Sequence, residues 1–442
     1  MQTSEQIDPL KNLVQDGLDE AKKQGASAAE VGLSTGNGLS VSARLGDVET
    51  IEHDCNQGFG LTVYFGKRKG SASSTDLSPN SIKETVRAAC SIATFSSEDD
   101  FAGLPDPEML ATEFPDLDSN HPWAIDAEQA IKLAVECEDA ARSYHKEISN
   151  SDGATVNSHQ GIKILGNSLG FLHGYQSTRH SLSCSVIAQR GEEMQTNYWY
   201  SVARNANGLE SAQQIGQKAA ERALKRLGSQ SITTRTAPVL YVPELASGLI
   251  SSLMGAISGG SLYRKSTFLL DSLDTQIMPD FIRIHEQPYL KNALGSAAYD
   301  GEGVATKTRD IVSEGILRSY LLSTYSARKL GMKSTGNAAG VHNLSIDSSD
   351  NDFNAMLKKL DTGLLVTELM GQGVNSMTGD YSRGAAGFWV ENGVILHPVE
   401  EITIAGNLKD MLRNLVAVGN DVDYRGNIHS GSILIEQMSI AA

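Results

Sequence analysis

A single acidic residue in a long apolar segment is the first candidate for chemistry in this sequence. Residues 238–260 read PVLYVPELASGLISSLMGAISGG, and Glu244 is their only charged residue. Apolar residues recur at the spacing of one helical face, at Leu245, Leu249, Leu253 and Ile257. Pro243 suits the first turn of a helix, where a missing N–H costs nothing. We therefore predict a buried central helix over 243–258 that is apolar nearly all round.

Metal-dependent hydrolases often place two histidines and a glutamate on such a helix, where the glutamate takes a proton from metal-bound water. Only Glu244 is present here. Its simplest interpretation is a first-turn carboxylate stabilised by the positive end of the helix dipole.

The histidines leave one alternative metal site open. His285-Glu286 begins like a zinc-binding helix, but Pro288 would break the helix that must carry a second ligand. His342, His397 and His429 lie near glycine-rich turns of the second half and could converge. An autonomous zinc enzyme that uses Glu244 with His342, His397 or His429 is therefore one hypothesis. We do not predict a Ser/His/Asp triad with a serine nucleophile.

Composition excludes some classes of function. The 442 residues carry a formal net charge of -16, which argues against a nucleic-acid groove. The start of the sequence lacks the features of a signal peptide, and no apolar run is long enough to span a bilayer. We expect a cytoplasmic protein whose four cysteines are reduced.

The pattern of elements predicts an α+β fold with two lobes. The first, 1–228, contains two helix–antiparallel strands–helix units at 1–96 and 124–228, joined by an acidic, proline-containing connector at 97–123. The second, 229–442, is a glycine-rich β domain around the central helix.

Local signals predict where several of these elements begin and end. Asp8-Pro9 should start the first helix, and Asp126 with Gln129 should cap a later one. Turns are expected at 36–38 and at 46–47, and Glu391-Asn392-Gly393 predicts a tight β-hairpin.

Six segments of the second lobe together resemble one family, the modulator of DNA gyrase family of paired cytoplasmic peptidase subunits. They are YDGEGVATKTRD at 299–310, EGILRSYLL at 314–322, STGNA at 334–338, GAAGFWVENGV at 384–394, HPVEEITIAGNL at 397–408 and VGND at 418–421. The first lobe resembles the family by pattern only.

The resemblance implies which site residues to examine. In the catalytic TldD-type subunit, a His-Glu-x-x-x-His stretch on the central helix and a late cysteine bind zinc. On this sequence those positions fall on Pro243, Glu244 and Gly248, and near Ser430. Only the glutamate matches, so the resemblance implies a subunit with no metal or cofactor of its own and zinc in its partner.

The function implied by the resemblance is ATP-independent proteolysis of unfolded peptides, such as maturation of a microcin precursor and removal of an antitoxin, with an indirect link to gyrase. This chain would form a heterodimer with a TldD-like catalytic subunit and supply one wall of a peptide channel. A homodimer in isolation is compatible with the sequence. A regulatory binding protein that acts without proteolysis is the third hypothesis.

Overall fold

The first lobe is organised around one six-stranded antiparallel sheet. The computed structural model describes residues 2–442, with side chains from residue 6 onward. The sheet order is β3-β2-β1-β4-β5-β6, so strands from both predicted units share a single sheet. The strands are β1 (Ala28–Arg44), β2 (Asp47–Phe65), β3 (Arg68–Ser74), β4 (Ile148–Asn167), β5 (Leu172–Arg190) and β6 (Glu193–Ala203).

Four helices cover one face of this sheet, namely α1 (Gln2–Lys23), α2 (Pro79–Phe95), α3 (Ala127–Arg142) and α4 (Ala212–Lys225). Alternate residues of β1 enter two apolar cores, Val31 under α1 and α2 and Val41 under α3 and α4. The opposite face of β1 presents small residues such as Gly32 and Ser34. The period of two along β1 therefore separates a packed face from an open one.

Two local predictions in this lobe are wrong. The first helix begins at Gln2 and contains Pro9, because the apolar face extends upstream to the buried Ile7. Residues 36–38 do not turn, since β1 pairs with β2 and β4 throughout this stretch. A Cβ on Gly38 would lie 1.9 Å from Asp54 Oδ1, so this glycine permits close packing between strands.

Other local predictions are confirmed. Asp126 accepts from the Gln129 N–H at 2.8 Å in a complete capping box. The chain turns between β1 and β2 at residues 45–46. Asn392 and Gly393 have φ of 52° and 73°, as a hairpin with two left-handed residues requires.

The second lobe contains two sheets. The larger has the order β14-β13-β12-β7-β17-β15, and β14 also pairs with β17, which closes the sheet on itself. The smaller has the order β10-β9-β8-β11-β16. The strands are β7 (Arg235–Tyr241), β8 (Ile284–Glu286), β9 (Arg309–Ser313), β10 (Ile316–Leu317), β11 (Leu344–Ile346), β12 (Gly363–Met370), β13 (Asp380–Glu391), β14 (Val394–Asn407), β15 (Leu415–Val418), β16 (Ile428–His429) and β17 (Ile433–Ala441). Its helices are α5 (Pro243–Ala256), α6 (Gly259–Tyr263), α7 (Thr324–Lys329), α8 (Phe353–Leu360) and α9 (Leu408–Arg413).

The central helix α5 begins at Pro243 and contacts both sheets through β12 and β16. Leu249, Ile250 and Leu253 are buried in the largest core of the protein. The expectation of a helix surrounded by protein is nevertheless wrong, because Gly248, Ser251 and Gly255 are exposed. These small residues share one stripe, since they are separated by three and four positions. The sequence pattern missed this face because glycine and serine carry no charge to mark it.

The α+β, two-lobed fold class is confirmed. Within residues 2–442, no helix combines the length and apolar character needed to cross a membrane.

Candidate functional site at the start of the central helix

The N-terminal end of α5 lies where the two lobes meet. Strand β7 leads into Val242, whose extended backbone (φ -63°, ψ 156°) precedes the first helical turn. Pro243 occupies the first position, and Glu244 follows with 24% of its side chain exposed. The carboxylate is thus accessible from the junction between the lobes.

Two arginines from different parts of the chain approach the Glu244 carboxylate. Arg222, on α4 of the first lobe, donates from Nη1 to Oε1 at 2.9 Å. Nη2 of Arg425, in the second lobe, lies 3.6 Å from the same oxygen. Glu244 is therefore held by positive charge from both lobes.

Arg425 is itself fixed by several partners. It donates from Nε and Nη2 to the two oxygens of Asp423, at 2.8 and 2.9 Å, and from Nη1 to the Tyr200 carbonyl at 3.1 Å. Burial alone would lower the pKa of Arg425, but the hydrogen bonds to Asp423 and the nearby charges of Asp423 and Glu244 together raise it. The guanidinium thus stays charged while it joins the lobes.

The indole ring of Trp199 packs against the cations of this cluster. Lys218 Nζ lies 3.6 Å from the Trp199 ring centroid, and the guanidinium carbons of Arg425 and Arg222 lie 3.9 and 5.1 Å from it. Trp199 Nε1 donates to Glu210 at 3.0 Å. Burial is the main reason that the pKa of Lys218 is lowered. Three cations therefore share one aromatic ring beside Glu244.

The other residues singled out from the sequence have distinct surroundings. A Cβ placed on Gly248, one turn after Glu244, would contact nothing within 4 Å. Ser430 is fully buried, its hydroxyl donates to the Gly431 carbonyl at 2.8 Å, and its carbonyl accepts from the Asp423 N–H. Asp423 and Arg425 therefore link Ser430 to Glu244.

The three candidate histidines do not share one site. His342 Nε2 lies 3.2 Å from the Gly336 carbonyl, in the wall of a cavity of about 880 Å³ between the lobes. His429 is on β16, its Nε2 3.1 Å from the Gly426 carbonyl, whereas His397 is on β14 and lines a different cavity. Burial lowers the pKa of both His342 and His429. Among the side chains of residues 6–442, no group of three or more His, Cys, Asp or Glu is arranged to hold a metal ion.

His285-Glu286 lies on strand β8 rather than on a helix. Glu286 is only 2% exposed and accepts from Arg309 Nη2 at 2.8 Å. The pair is therefore not part of a zinc-binding helix, as Pro288 indicated.

Sequence reasoning found Glu244 but missed the residues that surround it. Trp199, Arg222 and Arg425 come from three segments more than twenty residues apart, and no spacing rule connects them. Only the pair Asp423 and Arg425 carries a local signal, because opposite charges two residues apart can bond within one turn. This arrangement keeps the Glu244 carboxylate ion-paired and accessible at the junction between the two lobes.

Three domain families match the chain in succession. They are PmbA/TldA metallopeptidase domain 1 over residues 29–93, the central domain over 120–227 and the C-terminal domain over 234–442. The chain is 50% identical to Metalloprotease PmbA of Escherichia coli O157:H7, over 100% of this chain and 99% of that protein. It is 48% identical to the Metalloprotease PmbA homolog of Haemophilus influenzae, over 98% and 96% of the two chains.

Solved structures agree with these matches. A putative modulator of DNA gyrase from Bacteroides thetaiotaomicron superimposes with a TM-score of 0.93 at 29% identity, covering 98% of each chain. TldE from Thermococcus kodakarensis gives a TM-score of 0.85 at 19% identity, covering 97% of this chain and all of that one, a likeness of fold. The resemblance inferred from the six segments is thereby confirmed.

Proposed function

Because the chain belongs to the PmbA/TldA metallopeptidase family, we propose that it is the non-metal subunit of a two-subunit cytoplasmic metalloprotease. Its partner is a TldD-like subunit that carries the zinc, and the chain alone does not cleave peptides. The substrates are unfolded peptides, among which the family resemblance suggests a microcin precursor and an antitoxin.

The single observation that carries this proposal is the state of Glu244. A general base of a metallopeptidase must accept a proton from metal-bound water. Here the carboxylate accepts from Arg222 at 2.9 Å and faces Arg425, so its negative charge is already matched. We infer that this carboxylate serves as an ion-pair partner rather than as the acceptor of a proton from metal-bound water.

The residues at the family's ligand positions do not fit zinc. Pro243 and Gly248 have no donor atom in their side chains, and the Ser430 hydroxyl is buried against the Gly431 carbonyl. Zinc sites of hydrolases use imidazole, thiolate or carboxylate ligands. We therefore assign the zinc to the partner.

The open face of α5 supports a role in forming the channel. Gly248, Ser251 and Gly255 leave space beside the helix. An extended peptide can approach such a surface without displacing large side chains. We propose that this face contributes the wall that this subunit provides.

The test compares the chain, the metal-bearing partner and their mixture in cleavage of an unfolded peptide, together with metal analysis of each protein. We expect chelator-sensitive cleavage only in the mixture and stoichiometric zinc only in the partner. Zinc bound to this chain, or cleavage by this chain alone, would establish an autonomous enzyme instead. A mixture that binds peptides but never cleaves them would favour the regulatory hypothesis.

A further inference from the structure

A second cavity, of about 490 Å³, lies beside the start of α5 where α4 of the first lobe faces β13 and β14 of the second. Val242, the residue that precedes the helix, lines this cavity, and so does Arg222, the partner of Glu244. The cavity therefore adjoins the candidate site and shares Arg222 with it. Its volume is at the small end of the range for ligand sites, about 300–1,000 Å³.

One wall of this cavity is apolar. Phe353, Phe388, Ile395 and Leu396 contribute to it. Ile395 and Leu396 are 40% and 52% exposed, so their side chains are accessible to a ligand. This wall is suited to an apolar side chain of a ligand.

The facing wall is cationic and comes from the last turns of α4. It contains Arg222, Lys225 and Arg226, and no carboxylate of residues 6–442 lines the cavity. Arg222 donates from Nη1 to Glu244 and from Nε to Asn197, which leaves Nη2 without an acceptor among the described residues. Each cation also has a carboxylate partner outside the cavity, Arg222 with Glu244, Lys225 with Glu221 and Arg226 with Glu368. A bound anion would therefore meet charged N–H donors, such as Arg222 Nη2, rather than an excess of positive charge.

We propose that this cavity binds the C-terminal residue of a peptide when that residue is apolar. Its α-carboxylate contacts the guanidinium and ammonium groups of α4, and its side chain packs against Ile395 and Leu396. A terminal residue meets both requirements at once, because the carboxylate and the side chain are attached to the same Cα. The choice of a peptide rests on the function proposed above, whereas the polarity of the two walls selects the end of the peptide.

The experiment measures anisotropy of an N-terminally labelled heptapeptide as the full-length chain is added. Three peptides share one sequence and end in leucine with a free carboxylate, in leucine amide, or in serine with a free carboxylate. We expect the first to bind at least tenfold more tightly than either of the others, a difference of about 1.4 kcal/mol. Equal affinity of the acid and the amide would overturn the proposal, and so would the absence of binding.

Matched variants locate the binding in this cavity. Leu396→Ser and Lys225→Gln should each weaken binding of the peptide that ends in leucine with a free carboxylate by at least fivefold. Val394→Ser, on the same hairpin but outside the cavity, and Lys132→Gln, in an equivalent exposed Lys–Glu pair on α3, should leave it unchanged. Equal effects of a cavity variant and its control would contradict the assignment.

The four variants change exposed side chains, and thermal melts establish that each is folded. The measurement needs neither the partner nor cleavage. Failure to bind the terminal residue therefore overturns this inference alone, whereas zinc in the isolated chain overturns the function proposed above.

Discussion

Two glutamates of the second lobe are both paired with arginine, yet their surroundings differ. Glu286 is 2% exposed and accepts four hydrogen bonds, two from Arg309, one from Asn337 and one from the His342 N–H. Glu244 is 24% exposed and accepts one, from Arg222 of the other lobe. The first is a structural ion pair within one lobe, and the second is an accessible pair between lobes.

The difference indicates what each carboxylate can contribute. A charge removed from water is stable only when it is fully paired, so the four donors around Glu286 are a condition for folding. A partly exposed ion pair contributes about 1 kcal/mol or less to the free energy of folding, because water screens its charges in both the folded and the unfolded state. Glu244 can therefore serve recognition or alignment of the lobes without being essential for stability.

The largest expected effect is at the buried pair. Arg309→Met should lower the free energy of unfolding by about 3–5 kcal/mol, since it leaves the Glu286 charge buried without its main partner. The matched variant Arg222→Met should cost about 1 kcal/mol or less. Urea denaturation of both proteins measures the two values. Equal losses would contradict the distinction between the pairs.

A third carboxylate extends the comparison, because Glu30 is partly buried and faces negative charge. Burial, followed by Glu302 and Asp300 of the second lobe and opposed by Lys69, raises the pKa of Glu30 to about 7. The ordinary value of 4.5 applies in the unfolded chain. Between these two values the folded protein holds a proton that the unfolded chain has released, so stability falls as pH rises from about 4.5 to about 7.

Glu30→Gln should remove this part of the pH dependence. At pH 8 the variant should be more stable than the parent by about 1–3 kcal/mol, whereas at pH 4.5 the two should be similar. Thermal melts at both pH values give the comparison. The pKa of Asp300 is raised to about 6, chiefly by burial. Asp300 is present in both the parent and the variant, so its own titration does not distinguish them. A constant offset at both pH values would mean that Glu30 does not titrate in this range.

The free space beside α5 predicts a smaller gain in stability, from a substitution at Gly248. Gly248→Ala should stabilise the isolated chain by about 0.5–1 kcal/mol, because alanine favours the helix and its Cβ contacts nothing within 4 Å. Gly216→Ala in α4 is the control, since there a Cβ would lie 2.1 Å from the Cys137 carbonyl oxygen. Destabilisation by Gly248→Ala, measured by urea denaturation, would show that this face of α5 is packed.

The sequence was sufficient to predict the course of α5, the capping box at Asp126 and the hairpin at Asn392, because each depends on neighbouring residues. It did not predict that one face of α5 is open, since Gly248 can mark either close packing or empty space. Glu244 was identified as a candidate by its charge in an apolar segment. Its partners Arg222 and Arg425 could not be identified from the sequence, because long-range contacts determine which arginine lies beside Glu244.

The smallest expected effect is the most informative about catalysis. Glu244→Gln keeps the shape of the side chain and removes its charge. Under the proposed assignment, the mixture with the metal-bearing partner should cleave peptides within about twofold of the parent rate, because only a partly exposed ion pair is weakened. The matching substitution of the helix glutamate in the partner is the positive control, with an expected loss of about 10²–10⁴, the usual contribution of a general base. A comparable loss from Glu244→Gln, with the complex still assembled, would identify Glu244 as a proton acceptor and contradict its role as an ion-paired carboxylate.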